Sequence, residues 1–100
     1  MIDAGSINEI QPGKMKRVEI GNGKRILVCN VGGEFYAIDD QCTHEDASLY
    51  LGCLKGELVQ CSLHGGKFNV KTGAPAAEPA ETPLRTYPLH LVEGRIQVET

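Results

Sequence analysis

Two short stretches of this chain, Cys42-Thr43-His44 and Cys61-Ser62-Leu63-His64, restrict its fold more than any other feature. Side chains two apart in a strand point to opposite faces, and in a helix they also diverge. For Cys42 and His44 to face one site, their backbone must be a loop. Gly65-Gly66, directly after the second pair, supplies the freedom for a tight turn there. The intervening stretch, "EDASLYLGCLKGELVQ", is long enough for a short turn and a returning strand that sets the second loop beside the first. Two loops, each offering one thiol and one imidazole, are therefore expected to clasp a common centre.

The rest of the chain is β-rich. "RILVCNV" (25–31) is nearly continuous apolar, the pattern of a strand buried on both faces. "EFYAI" (34–38) follows Gly32-Gly33, a good two-residue hairpin loop. Near the C-terminus "TYPLHLV" and "RIQVE" flank Glu93-Gly94, and Ile96 and Val98 alternate with Arg95, Gln97 and Glu99 as in a half-exposed strand. Residues 73–83, "GAPAAEPAETP", contain Pro75, Pro79 and Pro83 and read as an ordered loop, not a strand. No window sustains a helical repeat. The expectation is an all-β chain interrupted by the Cys/His stretch.

At 100 residues the chain has room for one domain spanning 1–100. Ten Lys and Arg against 13 Asp and Glu leave a net charge of −3, which argues against nucleic acid as a partner. It suits docking to a complementary patch on another protein. "MIDAGSINEIQPG" has no cationic lead or apolar stretch of a signal peptide. No run reaches the roughly 20 apolar residues of a membrane span. The expected compartment is the cytoplasm, where thiols stay reduced and clustered cysteines read first as metal ligands. A Cys2His2 donor set suits tetrahedral zinc or an iron–sulfur cluster.

"CTH" and "CSLHGGKF" resemble the two ligand boxes, C-x-H and C-x-x-H, of Rieske proteins. The similarity extends over "FYAIDDQCTH" before the first box and Phe68–Gly73 after the second. It is strongest to the small Rieske-type ferredoxins of bacterial aromatic-ring-hydroxylating dioxygenase systems. The resemblance implies a Rieske fold: an antiparallel β-sandwich base with an inserted cluster-binding subdomain at approximately 40–83. That subdomain would consist of two ligand loops and a Pro-rich covering loop around Pro79. It also implies one [2Fe–2S] cluster, with Cys42 and Cys61 on the inner iron and His44 and His64 on the outer iron. The implied role is a monomeric one-electron carrier, not an enzyme, with two transient partners: a flavoprotein reductase and a terminal oxygenase. Other readings are a small Rieske-like subunit of another redox enzyme such as nitrite reductase, and a structural Cys2His2 zinc module.

The chemistry of such a site follows from its charge. Two thiolates cancel the two positive charges of a core of two ferric irons and two sulfides, so the oxidised site is about neutral and one added electron makes it singly negative. Four thiolates would start it doubly negative. Two imidazoles thus raise the potential, to roughly −150 to +300 mV. By the resemblance, the positions that carry a disulfide and hydroxyl donors in respiratory Rieske proteins hold Ala47, Leu63, Gly66 and Phe68 here. Glu45 and Asp46 read as solvated loop carboxylates. Alternatively, their charge raises the pKa of His44 and lowers the potential.

Among the remaining candidates, Cys53 reads as a partly buried thiol outside the ligand set and Cys29 as a small core residue. His90 reads as a structural or surface histidine, and Tyr36 and Tyr87 as packing residues of the β core. Lys67 is a docking charge or a solvated one. Leu63 would shield the sulfides, and Leu49 and Tyr50 would lie near the apolar rim that meets a partner. Without hydroxyl donors to stabilise the more negative reduced form, protein-film voltammetry should find a potential toward the low end of the range above. A value near its top would contradict this reading.

Overall fold

The computed structural model of the chain describes residues 1–43, 47–62, 65–78 and 80–100. In chain order its strands are β1 (Ile2–Ser6), β2 (Met15–Gly21), β3 (Lys24–Val31), β4 (Glu34–Asp39), β5 (Cys53–Lys55), β6 (Leu58–Gln60), β7 (Lys67–Asn69), β8 (Pro75–Ala77), β9 (Thr86–Tyr87), β10 (Leu89–Val92) and β11 (Arg95–Val98). Two single 3₁₀ turns, Ile7–Glu9 and Leu49–Leu51, complete the regular structure of the described residues. The strands form three antiparallel sheets ordered β1-β11-β10, β2-β3-β4-β9 and β5-β6-β7-β8.

β3 explains the arrangement. Its side chains alternate between faces, and both faces are covered. Ile26 and Val28 join Ala37, Tyr87, Ile96 and Val98 in one core, shared with the β1-β11-β10 sheet. Leu27 and Cys29 join Ile38, Leu49, Val59, Phe68, Val70 and Leu84 in a second core, shared with the small β5–β8 sheet. The uninterrupted apolar run of β3 is thus the signature of a central layer with a core on either side. The second core also contains Cys42 and Cys61.

The two expected hairpins form. Gly32-Gly33 joins β3 to β4 with Val31 opposite Glu34, and both glycines take positive φ (60° and 100°) as a type I′ turn requires. Glu93-Gly94 joins β10 to β11 with Val92 opposite Arg95. Buried Asn30 supports the first hairpin: its Nδ2 donates to the Ile10 carbonyl (2.8 Å) and its Oδ1 accepts from the Gly33 N–H (2.7 Å).

Two segments depart from the sequence expectation. "TYPLHLV" is not one strand: Thr86–Tyr87 pairs with β4, and Leu89–Val92 pairs with β11 in another sheet. The chain changes sheets at Pro88, which has no N–H to continue a ladder. The Pro-rich segment is not wholly loop, because Pro75–Ala77 adds an edge strand to β7. Proline is tolerated there because it occupies the first position of an edge strand.

The remainder of that segment is pinned at its ends. The Gly73 N–H donates to the Asn69 carbonyl (2.7 Å), and the Leu84 N–H donates to the Gly73 carbonyl (2.8 Å). Gly73 has φ +79°, and a Cβ there would lie 2.2 Å from the Leu84 carbonyl oxygen. Gly73→Ala should therefore cost about 1–2 kcal/mol for the left-handed backbone plus about 1–3 kcal/mol for overpacking. Gly56→Ala, at φ +59° with open space around it, should cost only the first. Urea unfolding of the two variants checks this, and equal losses would contradict it.

Candidate metal centre

Both cysteines of the two boxes occupy the same kind of position. The Cys42 N–H donates to the Ala47 carbonyl (2.9 Å), and the Cys61 N–H donates to the Gly66 carbonyl (2.7 Å). In each case a cysteine closes the neck of its loop onto the carbonyl five residues ahead. An antiparallel bridge between Gln41 and Ser48 clamps the first loop just outside its neck. The last and first residues of the β6–β7 hairpin, Gln60 and Lys67, pair at the base of the second. The bridge and the ladder thus fix both necks.

Cys42 and Cys61 retain only 3% and 2% of their surface, too little for bulk solvent to reach the sulfurs. Their shared surroundings are Leu49, Val59, Phe68, Val70, Ala80 and Leu84. The two expected sulfur donors thus lie in the same buried cluster. His44 and His64 lie outside the described residues, as do Glu45, Asp46, Leu63 and Pro79.

The covering segment is tied to the first loop. Thr43, between Cys42 and position 44, donates its Oγ1 proton to the Thr82 carbonyl (2.7 Å) across 39 residues of sequence. Ala80 and Leu84 bury themselves among the side chains that surround the cysteines. Among the described residues, the Thr43–Thr82 hydrogen bond and the burial of Ala80 and Leu84 hold the segment against the site.

One residue of this region went unassigned in the sequence. Asp40, two residues before Cys42, has no exposed surface. Its Oδ2 accepts from the Ser48 hydroxyl (2.6 Å) and its Oδ1 from the Tyr50 N–H (3.0 Å). Its own carbonyl accepts from the Leu49 N–H (2.7 Å). Arg25 Nε stands 3.6 Å from Oδ2, and Arg17 donates to the Ser48 hydroxyl (3.1 Å). The only signal in the sequence was the doubled aspartate of "AIDDQC", a pattern equally common in exposed turns.

Several other expectations can be placed. Cys29 is a core residue with no exposed surface. Burial, and secondarily the charge of Asp40, pushes its thiol up to about 12. Cys53 is exposed, not partly buried; its Sγ lies 3.9 Å from Gln60 Oε1 across the β5–β6 ladder. Leu49 is not at a rim but wholly buried, whereas Tyr50 and Leu51 are 42% and 67% exposed. A 3₁₀ turn has three residues per revolution, so three consecutive apolar side chains cannot all face inward. The Arg17 guanidinium covers the Tyr50 ring at 5.1 Å from its centroid. His90 is at the surface, 2.7 Å from Glu99 Oε2. Tyr87 is buried, and half-buried Tyr36 packs beside the second core. Lys67 is half-buried in β7.

The donor chemistry fits an iron–sulfur group: two buried thiols at matched necks, in an apolar enclosure that keeps water from the sulfur side. The Rieske [2Fe-2S] domain family matches residues 1–88. Among curated proteins, the ferredoxin component of biphenyl 2,3-dioxygenase from Rhodococcus jostii (strain RHA1) is 49% identical over 94 residues, 94% of this chain and 87% of the relative. Ferredoxin CarAc of Metapseudomonas resinovorans is 42% identical over 91 residues, 91% of this chain and 85% of the relative. Among solved structures, a chain in the complex of reduced oxygenase and oxidised ferredoxin in carbazole 1,9a-dioxygenase superposes with a TM-score of 0.95. That chain is 39% identical, with 97% of this chain and 90% of that one covered. The chain belongs to the Rieske [2Fe–2S] family, and within it to the ferredoxins.

The differing burial of Cys29 and Cys53 can be tested directly. In native cluster-loaded protein at neutral pH, a disulfide thiol reagent should modify one cysteine rapidly, and Cys53→Ser should abolish that reaction. Rapid labelling of Cys29 would contradict the packing. Because the folded thiol of Cys29 is raised above its ordinary value, its contribution to stability is complete below that value. It should be lost as pH climbs toward about 12, and Cys29→Ala should flatten that alkaline decline.

Proposed function

We propose that this chain carries single electrons from an NAD(P)H-dependent flavoprotein reductase to the terminal oxygenase of an aromatic-ring-hydroxylating dioxygenase system. It does no chemistry on an organic substrate itself. The observation that supports the reading most is the matched pair of loop necks that bury Cys42 and Cys61 in one apolar enclosure, in a chain of this family. Relatives named as ferredoxin components of biphenyl and p-cumate dioxygenase systems supply the partner class.

In this reading, Cys42 and Cys61 would hold the inner iron through sulfur, and His44 and His64 would hold the outer iron through ring nitrogen. A [2Fe–2S] cluster bound there supplies reversible one-electron chemistry at a potential raised by its imidazoles. The chain's own residues shape that chemistry. Leu49, Val59, Phe68 and Leu84 keep water from the sulfur side. Phe68 and Gly66 offer no hydroxyl to the sulfurs. Thr43 holds the covering segment in place through Thr82.

We further read the whole chain as one domain with residues 40–83 as its cluster-binding part, acting as a monomer in the cytoplasm. No helix of the described residues is long and apolar enough to cross a membrane. Exposed Tyr50 and Leu51, directly after the first loop, give both partners an apolar contact of the small kind that transient redox pairs use.

Anaerobically purified protein should contain iron and acid-labile sulfide in equal amounts and give a rhombic paramagnetic signal on reduction. It should also couple a reductase of this class to a ring-hydroxylating oxygenase. Zinc in place of iron and sulfide would overturn the reading. Leu51→Gln should slow transfer to the oxygenase several-fold without moving the potential, because it alters the contact and adds no charge near the site.

A further inference from the structure

Asp40 is a charged side chain in a place where charge is costly. Removing a carboxylate from water costs several kcal/mol unless it is well partnered. Its hydrogen bonds to Ser48, Leu49 and Tyr50 account for its position, since they lock residue 40 to the far side of the first loop's neck. They do not require a charge, because a neutral amide could accept the Tyr50 N–H equally well. What the charge adds is a field. Among the described residues, Arg25 Nε, at 3.6 Å from Oδ2, is the counter-charge in direct reach, and it is itself 39% exposed and so partly screened by solvent. Arg17 stands one hydrogen bond further out, on the Ser48 hydroxyl. The negative charge therefore faces the protein interior and the positive charges face water.

Asp40 is wholly buried, two residues before Cys42, and is bonded to Ser48 and Tyr50 across the neck of the first loop, which places its charge beside the enclosure around the cysteines. Cys29 belongs to the same buried set as Cys42 and Cys61, and the charge of Asp40 contributes, after burial, to suppressing its ionisation. A negative charge buried at the neck of the first loop disfavours added negative charge on the site by Coulomb repulsion. Surrounding charges and hydrogen bonds are among the levers that set the potential of iron–sulfur sites.

We propose that Asp40 is a positioning residue with an electrostatic role: its buried charge, partly offset by Arg25, holds down the reduction potential of the site. The inference rests on the cluster-binding reading above and goes beyond it by assigning part of the potential to an Asp40–Arg25 pair outside the ligand set. Added electron density on the site is repelled by the aspartate and attracted by the arginine. Neutralising either partner should therefore move the potential in opposite directions.

The test is protein-film voltammetry on the cluster-loaded full chain and on Asp40→Asn, Arg25→Gln and Ser48→Ala, with iron and sulfide content measured on each. Asp40→Asn should shift the potential upward and Arg25→Gln downward, with the visible spectrum of the cluster retained. Ser48→Ala removes a hydrogen bond and no charge, so its shift should be smaller than either. A general loosening of the loop would move both charge variants the same way, and that result, or no shift in either, would overturn the proposal. If Asp40→Asn fails to fold, Arg25→Gln decides alone: a downward shift supports the proposal and any other result overturns it. Absence of iron and sulfide from the unsubstituted protein would instead remove the cluster-binding reading itself.

Discussion

Two backbone hydrogen bonds organise this molecule's functional end, each from a cysteine N–H to the carbonyl five residues ahead. They close two necks in which Cys42 and Cys61 are buried. Each neck needs a rigid base. The first takes it from the end of β4 and the Gln41–Ser48 bridge, and the second from the β6–β7 ladder. Each also needs an apolar wall, which β3 supplies with Leu27 and Cys29 and the small sheet with Val59 and Phe68. The β1-β11-β10 sheet covers the other face of β3 through Ile96 and Val98.

Much of this was legible in the chain because the relevant signals are local. A two-faced apolar run, two glycine-bearing hairpin turns and the spacing of Cys and His are all readable within a few residues. What escaped depended on partners distant in sequence. Pro75–Ala77 becomes a strand only because β7 offers it an edge, and the β9–β10 segment divides at Pro88 because two sheets compete for it. Leu49 and Leu51 are the same residue type two positions apart, and only the sense of a 3₁₀ turn decides which is buried. Cys53 was expected under partial cover, but it sits in a three-residue strand whose outer face is open.

Asp40 was missed for a different reason. A buried carboxylate is identified by what surrounds it, and its partners come from residues 25, 48 and 50. The same network joins the interior to the surface, since Arg17 both donates to Ser48 and covers exposed Tyr50. The contact residue offered to partners and the carboxylate beside the first neck are thus parts of one connected set of polar groups.

The account depends on an uneven ligand set, with sulfur donors inside and imidazoles outside. Pulsed electron–nuclear double resonance on reduced protein labelled with ¹⁵N-histidine reads that set directly. Two strongly coupled histidine nitrogens are expected, unchanged by His90→Ala and reduced to one by His64→Cys in any variant that retains the cluster. A reduced centre with no histidine coupling would contradict the account.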